Sequence, residues 1–265
     1  KYITLIAIAF SIQESIMATE REQDYMPPAI AKDTTVKKDS TGTGLTPVND
    51  PKEGFMNILK TALSGDGVTG ARLNPMAVSF VEDYITKHRK SYLAIKENKE
   101  PQLTLMDQVL LQHGIPKEMK YLAVIESHLK STITSWAGAV GPWQFMPATA
   151  RNYGLLVNGS RDERTDYYKS THAAARMLTE LYSQFNDWLL VVAAYNGGPG
   201  NVQKAIRKSG GSKDFWALQY YLPNESMNHV KKFIATHYIF EGGGGATTIT
   251  KDETKDLLSN AAKLN

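Results

Sequence analysis

The sequence predicts an all-α domain, on three observations. Apolar residues recur at the helical period over long stretches, as with Val78, Val81, Ile85 and Tyr92 along one side of a run that starts at Asn74. The stretch Trp188 to Tyr195 is nearly all apolar, the pattern of a helix buried on every side. Helix punctuation brackets these runs, with Asn74-Pro75 at a start and Gly114, Gly154 and Gly210-Gly211 at stops. A chain of 265 residues, 42% hydrophobic and 22% charged, can bury one substantial core, so one globular domain with appended segments is expected. The formal net charge of +3 would help on an anionic polymer but is too small to argue for nucleic acid, which calls for a clustered basic stripe, and no nucleic-acid partner is expected. There is no cysteine, which excludes disulfides, thiolate metal sites and a cysteine nucleophile.

In chain order, Lys1, the apolar run Ile3 to Phe10 and the small or polar residues around Ser15 and Ala18 are expected to form a secretory signal over 1–18, with cleavage after Ala18. The run is too short to span a bilayer. With no cysteine after it, export without a lipoprotein anchor is expected. Residues 19–52 carry Pro, Thr, Lys, Asp and Gly with few large apolar side chains, a composition that cannot offset chain entropy and predicts a disordered linker.

A helical N-terminal part is expected over 53–115. Gly65, Gly67 and Gly70 satisfy G-x-G-x-x-G, but a helix-like run precedes them where a nucleotide fingerprint needs a strand, so a flexible loop is expected. The Asn74 helix leads to a charged connection, Lys96 to Pro101, and to a second helix, Leu103 to His113, closed by Gly114.

Pro116 restarts the chain into a helix with Met119, Leu122, Glu126 and Leu129 on one face, so a carboxylate takes a position that the pattern reserves for an apolar residue. Burial would raise its pKa, the condition a general acid needs near neutral pH; a structural Glu paired with a buried Lys or Arg fits the stripe as well. Trp136 to Pro147, WAGAVGPWQFMP, breaks any period with Gly138, Gly141 and Pro142 and reads either as a loop lining a groove or as a packed aromatic loop.

Pro147 to Tyr153 forms a short helix. Asp162, Arg164 and Asp166 precede the helix Tyr167 to Phe185, where an Arg between two Asp can fasten the preceding loop. Asp187 opens the all-apolar helix, which ends at Tyr195 and Asn196 before two glycines. These two either point into a cleft or serve as a core Tyr and a capping Asn. Helices are expected over Asn201 to Ser209 and Pro223 to Phe240. Residues 242–265 read as a flexible tail with one short helix.

Three ordered motifs, IESHLK, GAVGPWQFMPATA and AAYNGGPGNV, resemble those of the lytic transglycosylase SLT domain family, part of the goose-type lysozyme superfamily, across about Leu73 to Glu241. The resemblance implies a lysozyme-like helical domain with a substrate groove, an SLT-type catalytic part over 116–241 and a periplasmic or envelope location. Its implied partner is the glycan strand of peptidoglycan, cut between N-acetylmuramic acid and N-acetylglucosamine. The six histidines show no H-E-x-x-H or paired-ligand spacing, so no metal is expected; a monomer without a cofactor, with other cell-wall enzymes as further partners, is expected as well.

Residue by residue, the resemblance implies Glu126 as the catalytic acid, with Ser127, Ser135, Gln144, Met146, Tyr195, Asn196 and His229 at the substrate site. Ser127 is expected to orient local backbone or the carboxylate, and Tyr195 to bond Glu126 or an acetamido group. The last helix departs from the family pattern: Ser226 stands where the family has Thr, and His229 where it has a groove-lining Tyr. Two alternatives remain at the level of sequence, a hydrolytic lysozyme-type muramidase and a non-catalytic peptidoglycan-binding module.

Overall fold

A computed structural model describes residues 73–262, all within one of the chain's two compact units, Val48–Asn265. The expected signal at 1–18, the linker at 19–52 and the glycine loop at Gly65–Gly70 lie outside the described residues. The described part is helical, with α1 (Val78–Asn98), α2 (Glu100–Gln112), α3 (Tyr121–Ser127), α4 (Pro147–Asn152), α5 (Tyr167–Phe185), α6 (Trp188–Gly197), α7 (Pro199–Lys208), α8 (Phe215–Leu218), α9 (Asn224–Glu241) and α10 (Lys251–Ala262). Among the described residues the extended pairing is limited to isolated antiparallel bridges, Thr134 with Val140, Val140 with Phe145 and Val157 with Asp162.

α6 is the centre, as its composition predicts. Every side chain from Trp188 to Ala194 is buried, and α5, α7 and α9 pack around it. Asp187 caps it by accepting from Leu190 N (3.1 Å), which satisfies one of the amides a helix start leaves open. α9 lies against α1, α3 and α6, so the helix bearing His229 touches both the Glu126 helix and the helix bearing Tyr195.

The stripe through Met119, Leu122 and Leu129 is fully buried. The helix is shorter than the periodicity suggests: a 3-10 turn covers Lys117–Lys120, and α3 ends at Ser127, with His128 and Leu129 both left-handed at φ 52° and 56°. Leu129 therefore reaches the core from a turn, a conformation that a non-glycine residue adopts only at a cost.

Two expected boundaries are corrected. Lys96 to Pro101 is not a loop: α1 runs through Asn98, and only Lys99 interrupts before Pro101 takes a first-turn position in α2, where its missing N–H costs nothing. Of the expected tail, residues 242–262 are described and are not loose, since Thr247 to Thr250 are buried, Ile249 among them, and α10 follows. Polar pairing holds this segment. Lys251 N donates to Asp187 Oδ2 (2.8 Å), and Glu253 accepts from Asn74 Nδ2 (2.9 Å), Trp216 Nε1 (3.1 Å) and Thr250 N (2.7 Å).

Candidate active site

Glu126 sits in the last turn of α3, one residue before the helix stops. Ser127 ties that end to the glycine-rich loop: its Oγ lies 2.9 Å from Ala123 O and 2.8 Å from Pro142 O, so its single proton bridges helix and loop. With 3% of its surface exposed, Ser127 is buried. Its hydroxyl bridges two backbone carbonyls instead of lining an open surface, unlike the substrate contact expected of it.

The loop is a built structure rather than a row of groove-lining aromatics. Trp143 and Phe145 are core residues, and Trp143 Nε1 donates to Thr171 Oγ1 (3.0 Å). Trp136, by contrast, is 87% exposed, and Met146 is exposed as well. Ser135 closes the tip, its hydroxyl accepting from Ala139 N (3.0 Å) while its own N donates to Ala139 O (2.8 Å). Gln144 adopts φ 49° and uses Nε2 inside the loop, donating to Gly141 O (2.8 Å) and Ile133 O (3.2 Å).

Arg164 fastens the loop as the D-x-R-x-D spacing predicts. Nη1 donates to Gly138 O and Phe145 O, both 2.9 Å, while Nε and Nη2 grip the two oxygens of Asp162 at 2.9 and 2.7 Å. The guanidinium holds the Asp162 carboxyl below its usual range. Asp166 caps α5 through Lys169 N (2.9 Å). Gly141, at φ 87°, passes so close that a Cβ there would meet Arg164 O at 1.9 Å, so only glycine fits.

Opposite lie the end of α6 and the start of α9. Tyr195 OH donates to Trp143 O (2.7 Å) rather than to Glu126, one of the two partners expected of it; the phenol positions the loop backbone, although it lies close enough to feel the Glu126 charge. Asn196 Oδ1 accepts from Ser226 Oγ (3.0 Å), and that hydroxyl lies 2.2 Å from where a Gly197 Cβ would stand. Helices α6 and α9 thus meet through a glycine and a small hydroxyl residue, which is how Ser226 serves in its place.

His229 departs most from expectation. It is 4% exposed, and its Nε2 stands 3.5 Å from Glu126 Oε1, so it borders the carboxyl rather than an open sugar surface. Burial lowers its pKa to about 3, with Lys232 adding in the same direction, so the pair is not an ion pair at neutral pH. Burial raises Glu126 from 4.5 to about 7; the Glu225 charge pushes it further up and Lys232 opposes. The carboxyl is thus half protonated near neutrality, suited to give a proton and take one back. The positions of Thr171 and Pro142 as loop anchors were not legible from the motifs.

Among the described residues, no group of three or more His, Cys, Asp or Glu is arranged to hold a metal ion, and no helix is long and apolar enough to cross a membrane.

Residues 109–217 match the family described as "Transglycosylase SLT domain". Over 188 residues the chain is 37% identical to the membrane-bound lytic murein transglycosylase D of Escherichia coli K12, covering 66% of this chain and 41% of that protein. It is 29% identical over 136 residues to the soluble lytic murein transglycosylase of the same strain, covering 48% and 21%. The chain thus spans about two fifths of the length of the first of these relatives. In structure it is similar to the 70 kDa soluble lytic transglycosylase of Escherichia coli, with a TM-score of 0.50 and 23% identity over 64% of this chain and 31% of that one.

Proposed function

We propose, on the premise that the chain belongs over residues 109–217 to the transglycosylase SLT domain family, that it is a peptidoglycan lytic transglycosylase with Glu126 as its catalytic acid. The bond cut is the β-1,4 link from N-acetylmuramic acid to N-acetylglucosamine, and the product carries a 1,6-anhydromuramic end. The observation that carries this reading is a single buried carboxyl, raised to about 7, at the helix end that faces the glycine-rich loop.

Glu126 gives its proton to the glycosidic oxygen as the C1–O bond breaks, and the leaving sugar departs as an alcohol. The resulting carboxylate then accepts the C6 hydroxyl proton as O6 bonds to C1, which restores the acid. No water enters, and the intramolecular attack has the high effective molarity of an oriented neighbour. The 2-acetamido group of the muramic residue assists departure.

Glycosidases that use water need a second carboxylate across the bond. The acids that the sequence offers nearby are otherwise engaged, Asp162 by Arg164 and Asp166 by the start of α5. Glu225 acts on Glu126 through its charge. The other site residues hold the loop: Ser127 through Pro142, Tyr195 through Trp143 and Gln144 through Ile133, with Met146 exposed as an apolar wall for sugar. A chain that acts on peptidoglycan belongs at the cell envelope, and export is part of this proposal.

The test is a digest of purified peptidoglycan by this chain and by Glu126→Gln, with mass spectrometry of the soluble fragments. Fragments one water lighter than hydrolytic ones, absent with the variant, are expected. Hydrated reducing ends would make the protein a muramidase with Glu225 as the candidate second acid, and wall binding without release would make it a binding module.

A further inference from the structure

A buried polar atom without a partner is uncommon, and when it faces a functional group it requires an explanation. His229 Nε2 is such an atom: it makes no hydrogen bond of ordinary length, and the polar atom it faces is Glu126 Oε1 at 3.5 Å. Among the described residues the Glu126 carboxyl has no other hydrogen-bonding side chain, since Tyr195, its neighbour from α6, is committed to Trp143 O. The charged groups acting on this pair are Glu225 and Lys232, both from α9.

We propose that His229 is a positioning residue for Glu126, donating its Nε2–H to Oε1 and leaving Oε2 to carry the proton that is transferred. This rests on the reading of Glu126 as the acid. The imidazole stays neutral, its pKa lowered to about 3, so it neither competes for the proton nor adds a fixed positive charge that would strip Glu126 of it. As a donor it serves both states of the acid. The hydrogen bond is weak to the carboxylic acid and strengthens as charge develops on the carboxylate, so it favours the transition state over the ground state. A 3.5 Å approach in the free protein shortens when substrate closes over the carboxyl, since hydrogen bonds of this kind tighten in the bound complex.

Three proteins test this: the parent, His229→Phe, which removes the donor, and His229→Gln, whose amide N–H reaches the same place. Carboxyl-carbon NMR, with Glu126 identified by its loss in Glu126→Gln, reads the midpoint of the acid without any substrate. The midpoint is expected to rise in the Phe variant by about one unit and to return toward the parent value in the Gln variant. On glycan strands the Phe variant loses roughly ten- to a hundredfold in kcat with KM nearly unchanged, and the Gln variant recovers most of it.

Should the Phe variant fail to fold, nitrogen-15 spectra of the parent decide alone. A neutral ring with its proton on Nε2, its shift following the Glu126 titration, supports the proposal. A proton on Nδ1, a ring blind to that titration, or an unmoved Glu126 midpoint in both variants overturns it. These readouts stand whether or not the digest yields anhydro products, so a failure of the activity reading is distinguishable from a failure of this one.

Discussion

Glu126→Gln should make the protein inactive and, at alkaline pH, more stable. The carboxyl titrates at 4.5 in an unfolded chain and at about 7 in the folded one. Below pH 4.5 it is protonated in both states and costs nothing. Between these values the unfolded chain has released a proton that the folded chain still holds, so stability falls as pH rises, and the loss levels off above about 7. The full difference corresponds to about 3 kcal/mol at about 1.4 kcal/mol per unit. The side chain is 21% exposed, so solvent screening reduces this to about 2–3 kcal/mol. Glutamine mimics the protonated acid and does not titrate, so the two proteins should unfold alike at pH 4 while the variant gains about 2–3 kcal/mol over the parent at pH 8. Urea unfolding followed by tryptophan fluorescence, at several pH values, measures it. Groups such as Asp187, raised to about 6 by burial, titrate in both proteins and cancel in the difference. A difference flat from pH 4 to 8 would refute the buried acid. In the parent, turnover should fall as pH rises through about 7, because the proton donor is lost there.

Gly141→Ala places a methyl 1.9 Å from Arg164 O in a left-handed backbone, so the loop must move; a loss of about 3 kcal/mol on denaturation and about a hundredfold in turnover is expected. Tyr195→Phe leaves the Trp143 carbonyl without its donor, at about 1–3 kcal/mol, and should lower kcat about tenfold with little change in substrate affinity; equal losses in both would mean simple packing. Deleting residues 243–265 exposes the apolar surface under Ile249 and breaks the bonds of Glu253 to Trp216 and Asn74, so unfolding should come about 6–12 °C lower, whereas an unchanged melting temperature would restore the loose tail first expected.

What could be read in the sequence was whatever local pattern decides alone. The apolar run of α6, the capping acids Asp166 and Asp187, the loop-fastening role of Arg164 and the buried face around Glu126 each follow from a few neighbouring residues, and the structure places them so. What could not be read needed a partner distant in the chain. Tyr195 finds the carbonyl of Trp143, 52 residues earlier, and nothing in a phenol's sequence context tells whether it will bond a carboxyl, a sugar or a backbone. The C-terminal segment looked loose because glycines and charges dominate it; it is ordered because Glu253 meets donors from Asn74 and Trp216, which only the fold brings together.

His229 combines both cases. As a residue type in place of a Tyr it signals a changed contact, but a polar ring beside sugar and a polar ring beside the acid are identical in sequence. The difference lies in burial, which turns the imidazole into a neutral donor with one carboxyl oxygen in view. A Tyr hydroxyl could also donate there and would stay neutral too, but it reaches further from its backbone; a buried imidazole, which would ordinarily titrate close to Glu126, is held near a pKa of about 3 and so keeps the same charge across the whole range in which Glu126 titrates. The substitution therefore leaves the acid to set the pH dependence of the site alone.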